Sequence, residues 1–169
     1  MNYAKINTHD VANGPGIRVS LFVSGCEHYC KGCFNQEAWD FGYGESFTDE
    51  KIDEILKAGE PEYIKGLSIL GGEPLHPDDN IGYTMLLSVL WKSRYPDKSI
   101  WVYTGYRLED IDPLYRDVVL PQFDVLVDGP FVEAEKDLNL RFRGSRNQRI
   151  IDVKKTRETG KVVLWNEEE

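Results

Sequence analysis

The chain has 169 residues, of which 41% are hydrophobic, 29% are charged and 12% are aromatic. This balance is that of one soluble globular domain, and it excludes a mainly disordered or collagen-like chain. Lysine and arginine number 20 against 29 aspartate and glutamate, and the net charge of −9 disfavours a general nucleic-acid binder. No apolar run approaches the roughly 18 residues that cross a bilayer, and the first residues lack the pattern of a signal peptide. We therefore expect a cytoplasmic protein that binds neither nucleic acid nor membrane.

The hydrophobic pattern predicts strands that alternate with helices along one domain, residues 1–169. In chain order the predicted elements are a strand at 17–25, a loop at 26–44, a helix that begins after Thr48, a strand at 66–70, a helix at 79–94, a strand at 99–104, a helical stretch at 108–120 interrupted by Pro113, a strand at 123–127 and a candidate strand at 148–154. Such alternation favours a parallel sheet built from βα units. Because five or six strands are too few for a closed eight-stranded barrel, we predict an α/β fold with an open, partial βα barrel of about five or six mostly parallel strands. The tail from about residue 152 is left unassigned.

All three cysteines lie close together, at Cys26, Cys30 and Cys33, with the spacing C-x3-C-x2-C. Three is too few for a disulfide scaffold, and a polar loop that contains glycine is a poor place for buried inert thiols. Three thiolates suit an iron–sulfur cluster in which one iron stays open to an outside ligand. A closed zinc site with a histidine as fourth ligand is the main alternative, and a thioredoxin-like redox pair that leaves Cys26 unexplained is another. The histidines available to zinc are His9, His28 and His76.

Two motifs in a fixed order make a resemblance to a known superfamily specific. The cysteine loop follows the first predicted strand, and the second predicted strand ends in Gly71-Gly72-Glu73. Together they resemble the signature of the radical S-adenosylmethionine (SAM) enzymes. The resemblance runs from residue 1 to about 151, and further segments are similar to the glycyl-radical-enzyme activating family and, within it, to the activating proteins of anaerobic ribonucleoside-triphosphate reductases. These segments are 13–18, 33–35 with Trp39, 72–77, 103–106, 127–129 and 143–148.

The resemblance implies a chemistry for the cysteines. Cys26, Cys30 and Cys33 would ligate a [4Fe-4S] cluster whose fourth iron binds SAM, and one-electron cleavage of SAM would give a 5′-deoxyadenosyl radical. That radical would take a hydrogen from one glycine of the large subunit of the reductase. Reduced flavodoxin or ferredoxin is the implied electron donor. An activator of another glycyl radical enzyme, of the pyruvate formate-lyase type, is the alternative within the family, and a zinc-binding interaction module is the alternative outside it.

The residues expected to bind SAM come from the same motifs and from the ends of later strands. Gly71 and Gly72 permit close backbone approach at a strand end, where α/β folds place ligands, and the resemblance puts this segment at the methionine amino group. The resemblance also places residues 32–34 over the adenosine, and residues that end the third and fourth predicted strands are candidates for ribose contacts. The full expected set is Gly32, Cys33, Phe34, Gly71, Gly72, Glu73, Thr104 and Asp128.

Arginines stand out in this acidic chain. We expect the run from 141 to 149 to dock the reductase or to pair with acidic groups of the surface, and we expect Arg143 to be able to hold a substrate carboxylate. Arg18 is expected to orient a loop or to bind a carboxylate. Because the chain is short, we also expect the reductase to complete the closure of the site. The members of the run are Arg141, Arg143, Arg146 and Arg149.

Overall fold

One mixed β-sheet forms the centre of the protein. The computed structural model describes residues 1–167. Within them the strands are β1 (Asn2–Asp10), β2 (Ile17–Val23), β3 (Glu45–Ser46), β4 (Ile64–Gly71), β5 (Ser99–Tyr103), β6 (Val125–Asp128) and β7 (Arg149–Asp152). Their spatial order is β3-β1-β2-β4-β5-β6-β7. The pairings from β2 to β6 are parallel, whereas β3–β1, β1–β2 and β6–β7 are antiparallel.

One face of the sheet is covered by α-helices, and we call it the helix face. The helices are α1 (Asp49–Ala58), α2 (Ile81–Arg94), α3 (Pro113–Val119) and α4 (Val153–Thr159). Their buried residues, such as Ile55 and Leu87, pack in one core with side chains from β2, β4, β5, β6 and β7. Short 3-10 helices lie at Gln36–Trp39, Leu108–Asp110, Leu120–Gln122 and Glu133–Glu135. No helix of residues 1–167 is long and apolar enough to cross a membrane.

The opposite face carries the cavity described below, and we call it the cavity face. Successive strand residues point to opposite sides of a sheet, so β4 sends Leu67 to the helix face and Ser68 to the cavity face. Arg18 of β2 is fully buried on the cavity face, where its Nε donates to Ser68 Oγ at 2.8 Å and its Nη2 donates to the carbonyls of Leu67 and Ser99. Burial lowers the pKa of Arg18 to about 10.

The interactions of Arg18 decide between its two expected roles. Ser68 Oγ donates in turn to the carbonyl of Asn13 at 2.6 Å, so Arg18 and Ser68 together hold the turn before β2 against the sheet. Among residues 1–167, the ion pairs within 4.0 Å do not include Arg18. Arg18 therefore orients a loop, and within residues 1–167 it forms no ion pair with a carboxylate.

The prediction of five or six mostly parallel strands is wrong at the edges of the sheet. The pattern missed β1, a strand with few buried residues, and β3, whose two residues are too short to show any periodicity. Pro113 begins α3 and does not interrupt a helix, because proline is favoured at the first helical position and Asp112 Oδ1 accepts the Leu114 amide there. The strand predicted at 148–154 ends at Asp152, which caps α4 by accepting the amide of Lys155 at 2.9 Å.

The tail that the sequence left unassigned returns to the sheet after α4. Backbone bonds join Val163 to Asp152 and Trp165 to Ile150, so this segment lies beside β7. The Trp165 ring packs against Trp101 of the cavity face, with 4.9 Å between centroids. The tail thus covers part of the cavity face that no helix reaches.

Candidate metal centre

The cysteine loop begins directly after β2, at the edge where the parallel strands end. Backbone bonds from Gly25 to Ala38 (2.8 Å) and from Cys26 to Trp39 (3.1 Å) fasten the start of the loop to the short helix that follows it. Cys26 is buried, and Cys30 and Cys33 are half-buried. All three border one cavity of about 430 Å³. The tertiary structure therefore brings the three predicted ligands to a common space.

The three cysteines are free thiols with different surroundings. Burial raises the pKa of Cys26 to about 11, and burial also raises the pKa of Cys30. A thiol with such a pKa is protonated at neutral pH, so a bound metal must displace its proton. The donor set is soft sulfur, which suits iron–sulfur clusters and zinc alike.

The donors surround a shared space and do not form a ready set for one ion. Within residues 1–167, no three His, Cys, Asp or Glu side chains converge as a set that could hold one metal ion. His28, the histidine inside the loop, directs its Nε2 to Glu73 Oε2 at 2.6 Å. The residues do not fit a preformed Cys3His zinc site, which needs four ligands on one ion. Three thiols around one cavity fit an iron–sulfur cluster, in which separate irons take separate thiolates.

The Gly-Gly-Glu segment lies beside the cysteine loop at the end of β4. Gly71 and Gly72 both border the cavity. A Cβ on Gly72 would lie 2.6 Å from the carbonyl oxygen of Gly25, so only glycine permits this approach of the two segments. The amide of Glu73 donates to the same Gly25 carbonyl at 2.7 Å. The two motifs that were separate in the sequence are therefore in direct backbone contact.

The carboxylate of Glu73 has a different place from the two glycines. Its side chain is 1% exposed and does not border the cavity. Oε1 accepts from the Leu75 amide and Thr104 Oγ1, and Oε2 accepts from the Gly105 amide and His28 Nε2. These four bonds occupy the usual acceptor capacity of a carboxylate. Of the Gly71-Gly72-Glu73 motif, only the glycines face the cavity.

Thr104 directly follows β5, Asp128 ends β6, and the structure separates them. Thr104 borders the cavity, and its hydroxyl donates to Glu73 while accepting the amide of Tyr106 at 3.1 Å. Asp128 is buried away from the cavity, where its carboxylate accepts from the Leu108 amide at 2.8 Å and from Arg149 Nε at 2.9 Å. Asp128 thus fastens the chain around β6, and its neighbour Gly129 borders the cavity in its place.

Residues 32–34 divide in a similar way. Phe34 borders the cavity with 61% of its surface exposed, and its ring lies 5.2 Å from that of Phe131. Gly32 faces away from the cavity, where a Cβ would lie 2.8 Å from Glu133 Oε1. Cys33 and Phe34 are therefore the members of this trio that can meet a ligand in the cavity.

Most of the arginine run is paired with acidic groups of the same chain. Such pairing is one of the two roles expected for the run. Arg141 pairs with Glu167, Arg146 lies 3.8 Å from Asp137, and Arg149 bridges Asp128 and Glu109. Arg143 differs: it borders the cavity and donates to the carbonyl of Gln148. Arg143 is the member of the run that borders the cavity.

Several residues that border the cavity were not predicted. Strand alternation could have identified those from the sheet, since they share a side with Ser68 and Trp101. A second group lies on the segment between β6 and β7, which has no periodicity to read. The apolar members of the two groups are Phe22, Leu70, Tyr103, Phe131, Leu138, Leu140 and Phe142.

Comparison with known proteins places the chain in a family. Residues 12–151 match the family described as "4Fe-4S single cluster domain", a match that includes the cysteine loop and the Gly-Gly-Glu segment. The anaerobic ribonucleoside-triphosphate reductase-activating protein of Vibrio cholerae is 45% identical over 152 residues, which are 89% of this chain and 97% of that protein. The chain belongs to the family of these activating proteins. Other members are those of phage T4, 42% identical over 152 residues (89% of this chain, 93% of the relative), and of Escherichia coli, 43% identical over 150 residues (88% and 96%). The family match supports a [4Fe-4S] cluster, and the expected members of its ligand set are the three thiols at the cavity.

Proposed function

We propose that this protein uses a [4Fe-4S] cluster and SAM to install a glycyl radical on an anaerobic ribonucleoside-triphosphate reductase. The observation that carries the proposal is the convergence of three free thiols and the Gly71–Gly72 backbone on one cavity at the ends of the parallel strands. The names of the relatives support the reductase as the partner.

Each part of the cavity has a role in this proposal. Cys26, Cys30 and Cys33 hold the cluster, which when bound supplies the electron that cleaves SAM into methionine and a 5′-deoxyadenosyl radical. The backbone at Gly71 and Gly72 receives the ammonium group of SAM, since strand ends with close backbone approach are ligand sites in α/β folds. The protein contributes orientation and exclusion of water, as cofactor enzymes generally do.

Three further side chains at the cavity suit the remaining groups of SAM. The exposed ring of Phe34 offers a flat apolar surface to the adenine. The guanidinium of Arg143 offers two-pronged hydrogen bonding to the methionine carboxylate. Thr104 also borders the cavity, and in this proposal it contacts the ribose. Glu73 supports Thr104 from behind, through the hydrogen bond described above.

The proposal includes a partial βα barrel whose open side the reductase covers. The cavity is bordered by apolar side chains that water reaches, with Leu138 at 82% and Phe34 at 61% exposure. A partner that covered them would bury this surface and exclude water from the radical. Reduced flavodoxin or ferredoxin is the electron donor in this scheme.

Anaerobic reconstitution tests the proposal. The protein is loaded with iron and sulfide, reduced, and given SAM, and the release of 5′-deoxyadenosine is measured. We expect release by the wild type and by Lys31→Ala, an exposed neighbour in the loop, and none by Cys26→Ala, Cys30→Ala or Cys33→Ala. A protein that takes up one zinc and never cleaves SAM refutes the proposal.

The identity of the partner needs a separate measurement. Electron spin resonance would detect a glycyl radical on the anaerobic reductase after incubation with the reduced protein and SAM. If a pyruvate formate-lyase-type enzyme acquired the radical and the reductase did not, the reductase assignment would be wrong.

A further inference from the structure

Two histidine–carboxylate contacts cross between the cysteine loop and the segment after β4. His28 of the loop bonds through Nε2 to Glu73 Oε2 at 2.6 Å. In the reverse sense, His76 Nε2 lies 3.4 Å from Glu27 Oε2 of the loop. Both loop residues lie between Cys26 and Cys30, so they join the part of the chain that carries two of the cluster ligands to the Gly-Gly-Glu segment.

The two contacts differ in strength. The Glu73 carboxylate is fully enclosed and the His28 side chain is 19% exposed, so water competes little for the shorter bond. Glu27 is 65% exposed, and its contact with His76 is 0.8 Å longer than the His28 bond (3.4 against 2.6 Å). Because an exposed ion pair contributes little, the His28–Glu73 contact is the one expected to hold the loop.

Packing holds the His28 ring in one place. The ring meets Tyr106 edge to face, with 4.5 Å between centroids. It also lies over Gly105, where a Cβ would stand 2.4 Å from the imidazole Cδ2. The ring is therefore enclosed by the turn after β5 on one side and by Glu73 on the other.

Glu73 connects this histidine to two strand ends at once. Its Oε2 also accepts the Gly105 amide, and its Oε1 accepts Thr104 Oγ1, both at 2.8 Å. The cysteine loop, the end of β4 and the end of β5 thus meet at one buried carboxylate. Loss of a hydrogen-bond partner by a buried carboxylate raises the free energy of the folded state. The four bonds therefore favour a single arrangement of these segments.

We propose that His28 is a positioning residue that, through Glu73, sets the place of the cluster-bearing loop relative to the Gly71–Gly72 backbone. In this role Glu73 does not touch SAM and holds His28, Thr104 and Gly105 in place. The inference rests on the proposed function, because it takes the two positioned parts to be the cluster ligands and the ammonium-binding backbone. His28 itself is not a metal ligand through Nε2, since that nitrogen donates to Glu73.

The test measures the cluster and the binding of SAM separately. Reconstituted wild type, His28→Ala and His28→Gln are compared for iron and sulfide per chain, for the dissociation constant of SAM, and for the change that SAM causes in the spin resonance of the reduced cluster. We expect the iron content of His28→Ala to equal that of the wild type, its dissociation constant to rise about tenfold, and the spectral change to weaken. His28→Gln, whose amide reaches the position of Nε2, is expected to restore most of the affinity.

A double-mutant cycle identifies Glu73 as the group through which His28 acts. In a Glu73→Ala background no side-chain oxygen remains to accept, so the bond from His28 is already lost. We therefore expect His28→Ala to change the dissociation constant less than about threefold in that background, against about tenfold in the wild type. Equal effects of His28→Ala in the two backgrounds would refute the coupling.

Two variants serve as controls for His28→Ala. His9→Ala, which removes an exposed histidine bonded to Tyr63, and Glu27→Ala are expected to change the affinity less than about threefold. If His28→Ala does not fold, His28→Gln must still bind SAM more tightly than His28→Asn, whose shorter amide cannot reach Glu73. If the wild type binds SAM and His28→Ala binds it with the same affinity, this inference is refuted and the proposed function is not. If the wild type holds a full cluster but binds no SAM, the proposed function is refuted, and so is the inference.

Discussion

The helix face and the cavity face of the sheet are made by the same strands and have opposite compositions. On the helix face β4 and β5 contribute Leu67, Ile69, Ile100 and Val102, all fully buried in the main core. On the cavity face the alternating positions hold Ser68, Leu70, Trp101 and Tyr103, some in a smaller hydrophobic cluster and some at the cavity. Because side chains alternate along each strand, one side of the sheet packs in the stabilising core and the other side borders the cavity.

The difference teaches where a buried polar group is tolerated. On the helix face β4 and β5 place apolar side chains, because α-helices cover it. The cavity face is covered only by irregular segments, and its buried Arg18 is held by several hydrogen bonds, as are the buried Glu73 and Asp128 at the strand ends. Buried polar groups need such partners, and here the partners come from strand ends and loops. Changes on the two faces should therefore have different consequences.

The largest expected effect comes from the helix face. Leu67→Ala should lower the free energy of unfolding by about 2–5 kcal/mol, because it leaves a cavity in a fully enclosed core. The affinity of the folded fraction for SAM should not change. Chemical denaturation would measure the stability, with the exposed Lys65→Ala of the same strand as the control. A loss of SAM affinity in folded Leu67→Ala would contradict the separation of the two faces.

An intermediate effect is expected from the buried arginine of the cavity face. Arg18→Lys should lower the free energy of unfolding by about 1–3 kcal/mol, because one ammonium group cannot reach Ser68, Leu67 and Ser99 together. Denaturation of the variant would be compared with that of Arg107→Lys, an exposed site. If Arg18→Lys were as stable as the wild type, the hydrogen bonds of Arg18 would not hold this face together.

The smallest effect is expected at Glu109, the exposed carboxylate that pairs with Arg149. Hydrogen bonding to Arg149 lowers the pKa of Glu109 to about 2, although this side chain is half exposed. Because its pKa is lower in the folded than in the unfolded state, the ionised group stabilises the fold above about pH 5, and this stabilisation is lost as the pH falls towards 2. Glu109→Gln should cost only about 0.5 kcal/mol at pH 7, since solvent screens the pair.

Urea unfolding at pH 7 and pH 3 would check this dependence. The stability difference between wild type and Glu109→Gln should fall to less than half at the lower pH, while the exposed Glu62→Gln serves as the control. A difference that stayed constant would show that Glu109 contributes by packing and not by charge.

Parts of the fold were predictable because their patterns are local. The apolar runs of β2, β4 and β5 and the spacing of apolar residues in α2 identify these elements within a few residues of their observed bounds. β1 was not predictable in this way, because most of its residues stay partly exposed and it is held by pairing with β2 and β3. Its place depends on partners distant in the sequence, which periodicity does not report.

The candidate site shows the same division. The cysteine spacing and the paired glycines are local motifs, and the structure brings both to one cavity. The places of Glu73 and Asp128 were not predictable, since their partners His28, Thr104 and Arg149 lie between 21 and 45 residues away. Motif spacing identifies the residue types that a site needs, but the direction of a carboxylate is set by whichever donors the fold brings near it.

By itself the sequence determined the alternating α/β pattern, the three clustered thiols and the family, because each depends on neighbouring residues or on a contiguous motif. Only the tertiary structure decided which of the motif residues face the cavity. Gly71, Gly72 and Phe34 reach it, whereas Glu73 and Asp128 turn into the protein. The physical reason is that buried carboxylates must be hydrogen-bonded, and their donors here belong to other strands and loops.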